Sequence, residues 1–308
     1  MFLEIENTTI GYNKSLVEGI STQLALGDVC LLIGNNGVGK TTLIKSILNQ
    51  LPLLNHGKIL MDRQEIKTLS VKEIAHLISI VFSKSEIPMN YTVKDLVSLG
   101  KYIHYPYYFE LNKDDQTEIE DIIKNLGLNV YEKLQLRQLS DGNLQKAFIG
   151  RALAQNTPII ILDEPTTHLD ENNKVAILKL LRNIAKKQNK IILFSSHDWR
   201  LAKEFADKIW YIKNGNFYSG VTEDILIQHK ELTQPTLFNM DTGFAAPQIV
   251  APELQKEMLY SVLQKNFNFD LSKIKFEFNN DVWVIFIENS QLKARNFKDI
   301  IDIIQNTH

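Results

Sequence analysis

The chain has 308 residues, 34 of them Lys or Arg against 36 Asp or Glu, so its formal net charge is −2. Hydrophobic residues at 44% and charged residues at 23% are those of a soluble globular protein, which excludes disorder as the main character. The balanced charge implies no strong field toward nucleic acid, and the single cysteine, Cys30, excludes an internal disulfide or a thiolate zinc site, so a reducing compartment is expected.

The opening MFLEIENTTI carries two glutamates and no basic stretch, so it does not read as a signal peptide. No apolar run approaches the ~18 residues that crossing a bilayer needs, and any membrane role would pass through a partner. Residues 2–10, a turn at Gly11 and LVEGISTQL alternate with a period near two, which predicts strands. VCLLIG is a short, wholly apolar run, as expected of a buried strand. A Gly-rich loop follows, then TTLIKSILNQL with helical spacing, until Pro52 and Gly57 break the chain before the strand KILMD. Residues 71–82 predict a helix and the strand SIVF. From about 92 to 155 strand signals are scarce, and TVKDLVSLGKY, QTEIEDIIKNLGL and the run after Ser140 read as helices. After Pro158 come the strand IIIL, the helix NNKVAILKLLRNIAKK, the strand KIILFSS, the helix DWRLAKEFAD and the strand KIWYIKNG. Strands alternating with helices predict a parallel sheet with covered faces. The core ends near Gln228, residues 229–251 read as a linker, and residues 252–308 predict a helix, two strands hinged at Asn279-Asn280 and a last helix.

Gly34 to Thr42 spell GNNGVGKTT, which fits G-x-x-x-x-G-K-[ST] through Gly34, Gly39, Lys40 and Thr41, between a strand and a helix. Glycines let successive backbone N–H groups of Asn35, Asn36, Gly37, Val38 and Gly39 curl around phosphate oxygens, and the helix N-terminus at Thr41-Thr42 adds partial positive charge. Lys40 would hold the β- and γ-phosphates and the Thr41 hydroxyl would bind Mg²⁺. IIILDE puts Asp163 and Glu164 at the end of a buried strand, where ligands of an open parallel sheet lie. Asp163 would hold Mg²⁺ through water, and Glu164 would orient and polarise the attacking water.

With LSDGNLQKAFIGRALAQNTPIIILDEPTTHLD from Leu139, the phosphate loop resembles the ATP-binding subunit of ABC transporters. The family signature LSGGQ is matched by LSDGN, the D-loop by His168-Leu169-Asp170, the switch histidine by His197, and the aromatic that stacks on adenine by Tyr12. The resemblance covers about residues 1–228. It implies an α/β fold: a P-loop NTPase sheet of ABC ATPase type with an antiparallel β subdomain and a helical insert at about 84–156, here followed by a small α+β appendage. It also implies a head-to-tail homodimer in the ATP-bound state, with Ser140 and Gly142 facing the γ-phosphate held by the other copy. Read alone, His197 also suits a strand-end cap for the following helix, and Tyr12 a surface turn.

TVKDLVSLGKYIHY, residues 92–105, is similar to a stretch of importers for iron-siderophores, haem and cobalamin. That group pairs the ATPase with an integral membrane permease and, indirectly, a substrate-binding protein, which implies a peripheral place on the cytoplasmic face of the inner membrane and no nucleic-acid partner. Three positions depart from the pattern. Ser83 stands where the family has its Q-loop glutamine, Asp141 replaces a signature glycine and Asn143 its glutamine. A soluble ABC ATPase without a transport partner, regulated by its C-terminal region, is the other reading.

Overall fold

The computed structural model describes residues 1–82, 90–105, 110–197, 199–229, 232, 245–279, 281–287 and 290–307. By internal contacts the chain forms two units, Met1–Ile225 and Leu226–His308.

In the first unit, β1 (Leu3–Gly11) and β2 (Ser15–Leu24) pair antiparallel, with register shifts between Ile5 and Thr8 where Asn7 takes a φ of 42°. Asparagine tolerates that left-handed backbone better than most side chains do. β3 (Val29–Ile33) is buried along its whole length and runs into the loop before α1 (Lys40–Ile47). β4 (Lys58–Met61) and β5 (Gln64–Glu65) complete a four-stranded sheet in the order β2-β1-β4-β5.

α2 (Val71–Leu77) starts in a capping box in which Ser70 and Glu73 satisfy each other's end of the helix, and it leads into β6 (Ile78–Val81). The helical insert holds α3 (Val93–Ser98), opened by a Thr92–Asp95 capping box, α4 (Lys113–Asn125), capped by Asn112, and α5 (Asp141–Ala154), capped by Ser140. Then follow β7 (Ile159–Leu162), α6 (Glu171–Gln188), β8 (Ile191–Ser196), the single turn α7 (Trp199–Ala202), β9 (Lys208–Lys213), β10 (Asn216–Val221) and α8 (Thr222–Gln228).

The main sheet has six strands in the order β10-β9-β3-β8-β7-β6. All neighbours are parallel except β9 and β10, a hairpin whose two turn residues, Asn214 and Gly215, both take positive φ. Such a turn suits the twist of the strands it joins. β5 and β10 add two strands to those the sequence predicts, one after KILMD and one after KIWYIKNG. The predicted helix DWRLAKEFAD is only the turn Trp199–Ala202 followed by the 3₁₀ turn Lys203–Phe205. Loop, carboxylate pair and switch histidine follow the C-terminal ends of β3, β7 and β8. These three strands are adjacent, so segments more than a hundred residues apart meet at one edge of the sheet.

In the second unit, β11 (Gln248–Val250), α9 (Glu253–Asn266), β12 (Lys275–Asn279), β13 (Val282–Ile287), β14 (Ser290–Ala294) and α10 (Phe297–Thr307) form one sheet, in the order β11-β12-β13-β14, and two helices. Leu259, Leu263, Phe276, Trp283, Ile285, Ile300 and Ile304 make its core. The reading of two strands is corrected to four. β11 lies inside residues taken as a linker and pairs in parallel with β12. The four residues between Pro247 and Pro252 are too few to show a period. No described helix is long and apolar enough to cross a membrane.

Candidate active site

The loop after β3 is shaped by glycines. Gly34, Gly37 and Gly39 have φ of 150°, 80° and 116°. At Gly34 a Cβ would lie 2.6 Å from the Ile212 carbonyl oxygen and 2.9 Å from Val38 Cγ2, so both backbone angle and space require glycine. Gly39 is the N-cap of α1 and accepts the Leu43 N–H at 2.8 Å. Asn35, Asn36 and Gly37 are exposed, which leaves this stretch of backbone open to a ligand.

Lys40 folds back under the loop. Its ammonium donates to the carbonyls of Gly34 at 2.8 Å and Asn35 at 3.1 Å, and the residue is buried. Burial pushes its pKa down, while the Glu164 and Asp163 carboxylates push it back up. A cation inside the curl of a Gly-rich loop, with two carboxylates in electrostatic reach, is the donor set a Mg²⁺-bound triphosphate needs. Thr41 is exposed beside it and Thr42 is buried.

The carboxylate pair is wired to β8. Asp163 is buried, and its N–H donates to the Val81 carbonyl at 2.8 Å, which extends the β6–β7 ladder by one residue. The Ser195 hydroxyl donates to Asp163 Oδ1 at 2.6 Å, and Asp163 Oδ2 takes no hydrogen bond among the described residues. Glu164 takes a φ of 54°, and its N–H donates to Ser195 Oγ at 2.9 Å. The Glu164 carboxylate Oε2 meets Thr167 Oγ1 at 3.1 Å and His197 Nδ1 at 3.2 Å. A proton on Nδ1 suits that contact and leaves His197 Nε2 free on the other side of a half-exposed ring. The structure therefore brings together Lys40, Asp163, Glu164 and His197, all named from the sequence. Ser195 and Thr167 were not named. FSSH and EPTT show hydroxyls but not that they point at carboxylates.

The signature is built on the start of α5. Ser140 Oγ accepts the Asn143 N–H at 3.4 Å, and Asp141 lies exposed in the first turn. A carboxylate there complements the positive helix end, which gives a structural reason for Asp141. Gly142 is pressed against α6, where a Cβ would come within 2.7 Å of Asn173 Oδ1. Asn173 is held by Asp170, the N-cap of α6, which accepts its N–H at 2.8 Å and its side-chain amide at 2.9 Å. Tyr12 lies 57% exposed in the turn between β1 and β2, and those strands place Ile10, Leu16 and Val17 over Gly39. The Ser83 position lies outside the described residues.

A glycine-curled loop with an enclosed lysine, joined to a buried aspartate and a following glutamate on the next parallel strand but one, defines a phosphate-loop nucleotide hydrolase of the ATP-binding cassette class. The family model described as ABC transporter matches residues 17–167. The achromobactin transport ATP-binding protein CbrD of Dickeya dadantii is 32% identical over 235 residues, 76% of this chain and 86% of that protein. The petrobactin import ATP-binding protein YclP of Bacillus subtilis is 36% identical over 215 residues, 69% of this chain and 84% of that protein. Among solved structures, an inward-facing ABC transporter described as of metal-chelate type superposes with a TM-score of 0.65 at 28% identity, covering 73% of this chain and 85% of the other. The chain belongs to the ATP-binding proteins of ABC transporters, an ATP-hydrolysing family.

Proposed function

We propose that this chain is the motor subunit of an uptake system for an iron-chelate of the siderophore class, acting on the cytoplasmic face of the membrane through a separate permease. The relatives named for achromobactin and petrobactin, and the resemblance of residues 92–105 to siderophore, haem and cobalamin importers, support that cargo class. A substrate-binding protein would deliver the cargo to the permease. The observation that carries the chemistry is the Glu164 carboxylate, set by Thr167 and His197 beside Lys40 and Asp163.

In this reading the N–H groups of residues 35–41 and the Lys40 ammonium take the β- and γ-phosphates of ATP, exchanging the Gly34 and Asn35 carbonyls for phosphate oxygens. Thr41 and Asp163 Oδ2 would hold Mg²⁺, which neutralises phosphate charge when bound. Glu164 accepts a proton as water oxygen bonds to the γ-phosphorus, and the bond to the β–γ bridging oxygen breaks with its electron pair leaving on ADP. His197 contacts the γ-phosphate and the attacking water. Tyr12 stacks on adenine. Ser140 and Gly142 close the site from a second copy, so the working form is a homodimer, and Asp141 brings a negative charge close to the phosphate that the dimer encloses.

The test is Glu164→Gln. Turnover should fall at least about a hundredfold while Mg-ATP affinity stays within about threefold. With ATP the variant should also elute as a dimer, since hydrolysis no longer reopens it. Parent-like turnover would remove Glu164 from the role of base. Co-purification with the permease and stimulation of turnover by a ferric siderophore with its binding protein tests the cargo class.

A further inference from the structure

The end of β8 holds the hydrolytic strand through two different side chains. Ser195 lies in β8 and His197 is the first residue past its end, and both reach Glu164. His197 meets the Glu164 carboxylate, whereas Ser195 meets the Glu164 backbone N–H at 2.9 Å and Asp163 Oδ1 at 2.6 Å. Ser195 is fully buried. A hydroxyl has one proton to give and two lone pairs to offer, and here one group uses both capacities on consecutive residues.

We propose that Ser195 is a positioning residue for ATP hydrolysis, one hydroxyl that orients the metal-holding carboxylate and anchors the backbone of the base beside it. This rests on the roles given above to Asp163 and Glu164.

The paired strands β7 and β8 end their ladder at Leu162 and Phe194, so the Glu164 N–H has passed beyond the last backbone acceptor. Glu164 then turns to a φ of 54°, a backbone state that non-glycine residues keep only when their surroundings enforce it. Ser195 supplies the acceptor that enforces it. By donating to Oδ1, the same hydroxyl fixes the rotation of the Asp163 carboxylate and leaves Oδ2 as the oxygen that would hold a cation. Because one side chain serves both residues, the placement of Asp163 relative to Glu164 is set from β8. The same strand end carries His197.

The test uses full-length Ser195→Ala and Ser195→Thr, with Asp163→Asn as reference. ATP affinity is measured with Mg²⁺ and with EDTA, alongside turnover and its Mg²⁺ dependence. For Ser195→Ala, binding in EDTA should match the parent, the gain in affinity on adding Mg²⁺ should shrink about tenfold, and turnover should fall about ten- to a hundredfold. Ser195→Thr, which keeps the hydroxyl, should recover most of both. Asp163→Asn should lose the Mg²⁺ gain altogether. If Ser195→Ala keeps the parent's Mg²⁺ gain and turnover while Asp163→Asn loses them, the inference about Ser195 fails and the site stands. If Asp163→Asn also keeps them, the reading of the site itself fails. A Ser195→Ala variant that loses EDTA binding as well, or a folded Ser195→Thr no better than alanine, overturns the role of the hydroxyl.

Discussion

At the scale of single residues, the identity of a side chain is decided by what faces it. Gly142 illustrates this. Near the start of a helix, alanine would ordinarily be favoured over glycine by up to about 1 kcal/mol. Here the Asn173 amide occupies the space, tied down by its bond to Asp170. A Cβ at Gly142 must displace that amide and strain its bond to Asp170, the N-cap of α6. Gly142→Ala should therefore cost about 1–2 kcal/mol, measured by urea unfolding. In an Asn173→Ala background the same substitution should cost nothing or stabilise, because the obstructing amide is gone. A penalty of equal size in both backgrounds would show that Asn173 is not the cause. The glycines of the phosphate loop were legible from their spacing, since the motif records a backbone requirement. Gly142 was legible as a signature position but its neighbour was not, because Asn173 lies 31 positions away on another helix.

At the scale of elements, the strands and helices that were easy to read are those whose environment is uniform. VCLLI and IIIL are apolar throughout because both faces are covered, and their places in the sheet match that. β10 was missed since NFYSGV is half-exposed at the sheet edge and carries no clean period, although Asn214-Gly215 is a strong hairpin signal. The ties between elements are invisible in sequence. Asp207, at the foot of β9, accepts the Val29 N–H at 3.0 Å, Arg182 Nη1 at 3.0 Å and Lys186 Nζ at 2.7 Å, and so links β3, α6 and β9. Burial alone would raise its pKa, but the bonds from Lys186 and Val29 and the Arg182 bond outweigh it and hold the carboxyl below its ordinary 3.8. The unfolded chain therefore takes up the proton first. The stabilisation is complete above the ordinary carboxyl range and is lost as pH falls below 3.8 toward the lower folded value. Asp207→Ala should lower stability at neutral pH by about 1–3 kcal/mol, and the gap to the parent should narrow in acid. A gap independent of pH between neutrality and pH 3 would rule out the carboxylate as its source.

At the scale of the whole molecule, the two units have separate hydrophobic cores. One cluster joins β1, β3, α1, β7, β8 and β9 through residues such as Leu3, Leu32, Ile44, Ile161, Leu193 and Trp210. The other is confined to Leu259–Ile304. No residue belongs to both, and the side chains proposed to bind nucleotide all lie in the first unit. A unit with its own core folds as a unit, and removing a neighbour changes its ligand affinity only through contacts the ligand site shares with it. A chain ending after His229 keeps α8 whole and retains every residue assigned to ATP. It should unfold cooperatively and bind Mg-ATP within about threefold of the full protein, a difference under about 1 kcal/mol. A loss of affinity beyond about tenfold, read by the same titration, would mean that the C-terminal unit is part of the machinery that holds the nucleotide. If affinity is kept but turnover in the assembled transporter changes, the appendage acts as a regulator of a complete motor. That outcome would give residues 245–307 a function of their own.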